Sequence, residues 1–477
     1  MNIHLILLIV YSVGLTAFGL WIARLVKGTG DFFVAGRNLS APLIFSTILA
    51  ANIGAGSTVG AAGLAYRDGI ATWWWNGSAA IGSIFLAFFI GPKIWAIAKS
   101  HNLYTAGDYL ELRFGRSVRG IISSLIWLGT LSILAGQLIA GAAVLSVVAD
   151  MPRWAGVVIS AVVMTIYFVA GGLLSSAWVN AVQLVVLLGG FMVALPMVLA
   201  NVGGLDAVLS GPQVPAHFDD FFYSAGPGSG WTRLILLGPA FIISPGLLQK
   251  TYGAASERAV RVGIGVQALV LALFAFIPAL LGMAAHASNP NITSPNLVLP
   301  TVLVDQLPVY VGALALAAIY SAEVSTCDAI LFMLATSLSQ DLYKRFLRPD
   351  ASDRQVLRVA RGAAIAGGIG GVILALQLAT VIQALDTFYA LLTVSLLVPV
   401  LGGLYSKRAG APEALAAIAS GVVTLLVIRF FLTGRYGWLD PTLMGLVAAA
   451  VAFAVTMAVR NPESKIKNQK SKIERHA

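Results

Sequence analysis

The chain has 477 residues, of which 58% are hydrophobic and only 10% charged, with a mean hydropathy of +0.87. That excludes a water-soluble globular protein, because apolar runs of about 20 residues, the length that crosses a bilayer as helix, fill nearly the whole sequence. The formal charge of +10 lies in short breaks between these runs and builds no nucleic-acid face, and the single cysteine, Cys327, excludes an internal disulfide or a cysteine metal centre.

The apolar runs predict an all-α polytopic membrane protein with about 13 transmembrane helices. They fall at about 3–23, 40–66, 71–97, 118–149, 154–173, 176–200, 232–250, 261–286, 307–342, 357–379, 382–406, 411–433 and 438–459. Of the 30 Lys and Arg, 25 then fall on one side. The positive-inside rule makes that side the cytoplasm, with the N-terminus outside and the C-terminus inside a plasma membrane. No gap is long enough for a separate soluble domain.

Residues 1–27 read as a retained first helix. No basic segment precedes the apolar run, no small-residue cleavage site follows it, and Arg24 and Lys27 read as a stop. Asp31–Arg37 is a short cytoplasmic turn. Span two is irregular: Leu49–Ala65 crowds glycines around Asn52, Ser57 and Thr58. Glycine weakens a helix interior by about 1 kcal/mol relative to alanine, so an unwound midpoint is expected at Ala50–Gly56. Gly60, Ala61 and Gly63 read instead as a helix-packing face. Trp73–Ser78 opens span three as an aromatic belt, with Asn76 near a cavity. The polar stretch 101–120 predicts a short interfacial helix. Gln137 is the one amide in span four. Ala170–Gln183 reads as a tight cytoplasmic turn into span six.

Residues 201–231 form the longest external loop. In span seven, Pro239, Pro245 and Gly246 interrupt one apolar run beside Ser244; an interior proline removes a helix hydrogen bond. Ser321–Leu342 is the most informative stretch. It carries Glu323, Ser325, Thr326 and Asp328 deep in an apolar span. Hydroxyls there often bond back to the helix and only tighten packing, but two carboxylates within six residues favour an ion or solute path. Residues 460–477 form a basic cytoplasmic tail.

Spans two and seven each begin a run of five spans, 40–200 and 232–406, followed by two extra helices at 411–459. An odd number of spans per unit makes the second enter from the opposite side. Matched interruptions in such inverted repeats point to a midplane site.

Five segments, Gly30–Arg37, Leu49–Gly69, Gly171–Gln183, Gln249–Arg258 and Ser325–Lys344, give the chain a likeness, over nearly its whole length, that resembles the sodium/solute symporter family. The resemblance implies a leucine-transporter-type fold: a 5+5 inverted repeat with one extra N-terminal and two extra C-terminal helices. It also implies a Na+ site made by the carbonyls of Ala50, Ile53 and Ala322 and the hydroxyls of Ser325 and Thr326. A hard cation takes oxygen ligands, and an unwound helix frees carbonyls to supply them. Where many members carry an aspartate of a second sodium site, this chain has Asn180, so one ion per cycle is expected.

The function expected is sodium-coupled symport of a small organic solute, an organic acid or amino acid, by alternating access. Asn52, Ser57, Thr58, Asn76, Gln137 and Ser244 would contact the solute. The nearest rival is a proton-coupled carrier that uses Glu323 or Asp328 as the coupling carboxylate. A membrane solute sensor is a further alternative, set against a tail with no room for an output module. A membrane enzyme is not expected, because no nucleophile–histidine–acid set or metal motif occurs. No organic cofactor and no nucleic-acid partner are expected.

Overall fold

The structure is a computed structural model that describes residues 3–23, 34–432 and 438–460; for residues 20, 23 and 167–177 only the backbone is described. Asp31–Phe33 of the expected first turn, the stop residues Arg24 and Lys27, Arg435 and the basic tail beyond Arg460 lie outside the described residues.

Of the described residues, 84% are helical. Its helices are α1 (Ile3–Ala23), α2 (Ala41–Asn52), α3 (Ala61–Asp68), α4 (Trp73–Phe85), α5 (Gly91–Ser100), α6 (Ala106–Phe114), α7 (Arg116–Ala149), α8 (Arg153–Asn201), α9 (Gly204–Ser210) and α10 (Leu234–Ile243). They continue as α11 (Pro245–Tyr252), α12 (Glu257–Phe274), α13 (Phe276–Ser288), α14 (Val298–Gln306), α15 (Val309–Thr336), α16 (Asp353–Gln377), α17 (Val381–Tyr405), α18 (Ala411–Val427) and α19 (Pro441–Val459). Among the described residues, ten stretches are long and apolar enough to cross a membrane, and three shorter apolar helices accompany them. Large side chains such as Val185, Met192, Leu269, Leu273, Ile369 and Val451 point outward. Water would not tolerate so much exposed apolar surface, and lipid covers it without penalty.

Two stretches are too long for one pass. Gly56–Ser100 runs for 45 residues, but Gly69 at φ +66° turns a corner inside it. A side chain at Gly69 would collide with the backbone of Phe218 at 2.4 Å, so only glycine fits. Helical bonding also continues through all 49 residues of α8, about 73 Å if straight. Its ends nevertheless close on one face. Arg153 donates to Ala375 O, Asn296 to Ala379 O and Asn201 to Gln306 O, and only the nine residues of α14 separate the neighbourhoods of Asn296 and Gln306. The chain therefore reverses direction between Arg153 and Asn201. The tight turn expected at Ala170–Gln183 falls inside this stretch, although helical bonding runs through it.

Both expected interruptions are present. Span two breaks after Asn52, where Ile53 leaves the helical region (φ −95°, ψ 91°), and resumes through the wide π-helical turns Gly56–Gly60. Span seven breaks at Ser244 (φ −52°, ψ 121°), with Pro245 as the first residue of α11, a position where its missing N–H is not needed. Pro239 sits inside α10 without ending it.

One isolated pairing fixes the relation between the two broken helices. Leu39, just before α2, receives at its carbonyl the N–H of Ala255 (2.9 Å) and donates its own N–H to Gly253 O (3.0 Å). The start of span two therefore lies beside the end of span seven. The two run in opposite directions, as inverted units require.

The interfacial helix expected within 101–120 is α6, capped by Thr105 and Asp108 in a reciprocal box. It is bolted to the π-helical extension Ser337–Leu347 of α15. Arg119 reaches Asp341 (2.7 Å), Asp108 (2.7 Å) and Glu111 (2.8 Å). Arg345 pairs with Glu111, and Thr105 donates to Asp341 at 2.5 Å. Loop 201–231 is pinned as well. It contains α9, and Phe218 O and Phe221 O accept from Ile70 N and Trp74 Nε1.

Candidate functional site

The site forms where the break in span two meets α15. From Ser321 to Ser337 every residue of that helix is buried, so its hydroxyls cannot face lipid. Ser325 Oγ donates to Ala50 O at 2.9 Å and to Ala322 O at 3.0 Å. Thr326 Oγ1 approaches Ala50 O at 3.2 Å and Ala51 O at 3.4 Å. The backbone crosses Thr326 so closely that a Cβ on Gly54 would stand 2.4 Å from Oγ1. Four of the five expected cation ligands, Ala50, Ala322, Ser325 and Thr326, thus converge on one point, and Ile53 is the residue of the break itself. A hydroxyl that donates to a carbonyl can rotate its proton away and offer a lone pair, so the cluster can present several neutral oxygens to a cation.

The break leaves backbone groups that the helix no longer satisfies, and buried ones must find partners. Gln137 Oε1 accepts from Ala55 N at 2.9 Å. Asn76 Nδ2 donates to Ser57 O at 3.0 Å. Ser57 Oγ bonds Asn52 O at 2.6 Å and Thr58 Oγ1 bonds Gly54 O at 2.9 Å. Five of the six expected solute contacts therefore gather around this break, and four of them are engaged in holding its shape. Asn52 differs: its buried amide nitrogen has no partner among the described residues. Ser244 belongs to the other break, where its side chain makes no capping bond to α11.

The acidic residues separate. Glu323 lies two residues from Ser325, about 200° round the helix. It faces Gly141 and Ser160, and neither carboxyl oxygen has a partner among the described residues. Asp328 is buried within electrostatic reach of the Lys250 ammonium.

Lys250 is the residue that sequence reasoning missed. Counted with the cytoplasmic charges, it is instead 1% exposed, and Nζ lies 2.5 Å from Thr47 O. Asn180 donates to the hydroxyl of the same Thr47 at 3.3 Å, and Gln249 beside Lys250 donates to Thr336 at 3.0 Å. The signal available was three consecutive polar residues, Gln249–Thr251, beginning three residues after the Pro245-Gly246 pair.

An interrupted helix, a hydroxyl pair on a fully buried partner helix and an antiparallel second interruption together define a membrane carrier of the leucine-transporter type. The chain belongs to the sodium:solute symporter family, whose model matches residues 32–421. It is 26% identical to the sodium/glucose cotransporter of Vibrio parahaemolyticus over 95% of this chain and 90% of that one. It is 29% identical to the sodium/pantothenate symporter of Escherichia coli (strain K12) over 89% of each. Among solved structures, a Na+-coupled sialic acid symporter in a substrate-bound, outward-open state superposes with a TM-score of 0.80 at 19% identity, covering 97% of this chain and 99% of that one. The fold is thus shared with known sodium-coupled carriers.

Proposed function

We propose that the chain imports a small organic solute with one sodium ion per cycle. The ion is held by the carbonyls of Ala50, Ile53 and Ala322 and the hydroxyls of Ser325 and Thr326. The carrying observation is the pair of hydroxyls aimed at Ala50 O across the break. Sodium there joins a broken helix to its neighbour, so binding favours one conformation over the other, which is what coupling requires. With a neutral solute the cycle moves one net charge inward, and 100 mV then supplies about 2.3 kcal/mol; with a monoanion the pair is neutral and the sodium concentration gradient alone drives uptake. Asn52 is the principal solute contact at the break, because its buried amide nitrogen is the unengaged one there.

Two observations support a single sodium. Asn180 is already hydrogen-bonded to Thr47, and the buried Lys250 side chain occupies the carbonyl of the same residue as a hydrogen-bond donor. The described helices accord with thirteen crossings if Gly56–Ser100 is read as the outer half of span two followed by span three. The unit boundaries 40–200 and 232–406 and the cytoplasmic placement of the cation-rich face belong to the same reading.

The test is uptake by proteoliposomes under a sodium gradient. Ser325→Ala with Thr326→Ala abolishes sodium dependence on this reading, and unchanged uptake would sink it. The isolated carboxyl of Glu323 favours proton coupling as the rival; persistence of uptake when choline replaces sodium at fixed pH would select it.

A further inference from the structure

On the face opposite the cation-rich one, a cavity of about 580 Å³ opens over the outer half of span two. That lies within the usual range for small-molecule sites. Lys and Arg are scarce on this face: only Arg67, Arg153, Arg233, Arg429 and Arg435 fall there in the sequence. Three of them, Arg67, Arg233 and Arg429, line this one cavity, together with Asp386.

The charges do not cancel within its walls. Arg67 is paired with Asp68 through Nε and Nη2, with bonds of 2.6 and 2.7 Å. Asp440 also acts on Asp386, but it lies outside the cavity and caps α19 through Leu443 N. Asp386 is left facing two guanidiniums, Arg233 and Arg429. Arg233 is 5% exposed, and its guanidinium carbon lies over the Trp75 ring, 4.8 Å from its centroid. Its one protein hydrogen bond among the described residues is a long 3.5 Å contact from Nη1 to Asp386. A guanidinium carries five donors in a planar fork that matches a carboxylate. Among the described residues Arg429 makes one side-chain bond, to Thr387 at 2.9 Å. Leu64, Ile292 and Ile382 supply apolar wall beside these groups. Below, Trp75 touches the broken segment: a Cβ on Gly56 would lie 3.4 Å from its ring.

We infer that this cavity is the entry site for solute, and that the solute is a small organic anion whose carboxylate is taken by the Arg233 fork with Arg429 beside it. The inference deepens the sodium-coupled reading above and rests on it for the direction of travel. Family membership does not choose between neutral and anionic cargo, since the relatives named above carry glucose and pantothenate. The walls of this cavity do choose. The carboxylate replaces the long Asp386 contact at Arg233, while the aliphatic body lies along Leu64 and Ile382. Sodium at the cradle then balances the charge of the anion as it descends past Trp75.

The test uses the full-length protein in lipid nanodiscs. Binding of a panel of C2–C8 monocarboxylates, each paired with its neutral amide, is followed by thermal shift and tryptophan fluorescence at fixed ionic strength, with sodium or choline. Glucose and iodide serve as neutral and inorganic probes. At least one carboxylate binds tenfold or more tighter than its amide. Arg233→Gln weakens it at least tenfold while the shift produced by sodium alone persists, and Arg429→Gln weakens it less. Equal binding of acid and amide across the panel, saturable binding by glucose or iodide only, or carboxylate affinity unchanged in both variants would overturn the inference. Loss of any sodium effect in the wild type would count against the cradle and not against the cavity, because the acid–amide comparison stands in choline as well.

Discussion

The ammonium of Lys250 lies 2.5 Å from the carbonyl oxygen of Thr47, tying α11 to α2, the halves of the two interrupted helices that share one face. A buried ion is expensive unless partnered, and removing one member of a buried pair costs roughly 3–5 kcal/mol. Asp328 is the acidic group that acts on this ammonium. Lys250→Met is therefore expected to lower the unfolding midpoint, and Lys250→Met with Asp328→Asn to recover part of the loss. A double-mutant cycle on unfolding midpoints measures the coupling; simple additivity would show that the two charges do not depend on each other.

Gly54 tests the cradle without touching a hydroxyl. An added methyl would stand 2.4 Å from Thr326 Oγ1 and 2.8 Å from its Cβ, so the crossing must open. Gly54→Ala is expected to raise the sodium concentration for half-maximal uptake at least tenfold, about 1.4 kcal/mol. Gly14, with nothing near its Cβ position, is the control and should tolerate alanine.

Gln137 holds the break through an acceptor. Gln137→Leu leaves the buried N–H of Ala55 unmatched, a penalty of about 1–3 kcal/mol, and should lower the melting temperature together with the transport rate. Gln137→Glu keeps an oxygen at the same place and should restore much of the stability. Equal damage from both would mean that the amide nitrogen, not the oxygen, matters.

Glu111 gives the foot of the bundle an acid sensitivity. Burial works against its charge, but hydrogen bonds from Arg345 and Arg119 outweigh burial and hold the carboxyl below its ordinary range. A carboxyl with a lowered folded pKa contributes stability that is fully present above the unfolded value, near 4.3. The contribution is lost as pH falls through the lowered value. Thermal stability is expected to decline below about pH 4, and Glu111→Gln to be less stable at neutral pH with a flatter acid limb. Parallel limbs in the two proteins would rule this out.

Much of this arrangement was legible in the residues. Gly and Pro placed both breaks, because each residue type fails in a helix interior for a known reason. The hydroxyl pair was legible because polarity at membrane depth must face protein. The roles of Ser57, Thr58, Asn76 and Gln137 were not, because a chain does not reveal which unmatched backbone group a side chain will meet. Lys250 was misplaced for a related reason. Near the end of an apolar run, a cation reads as a water-facing flank until the partner helix supplying Asp328 is seen beside it. The cavity with Arg67, Arg233 and Arg429 combines residues from opposite ends of the sequence, and no local pattern joins them.

The clasp at Leu39 uses main-chain atoms alone, through Gly253 O and Ala255 N. Mutational drift can rewrite every side chain around it and leave it intact, short of proline at position 39 or 255. That insensitivity is one way for remote cousins to keep a common scaffold while their cargo diverges.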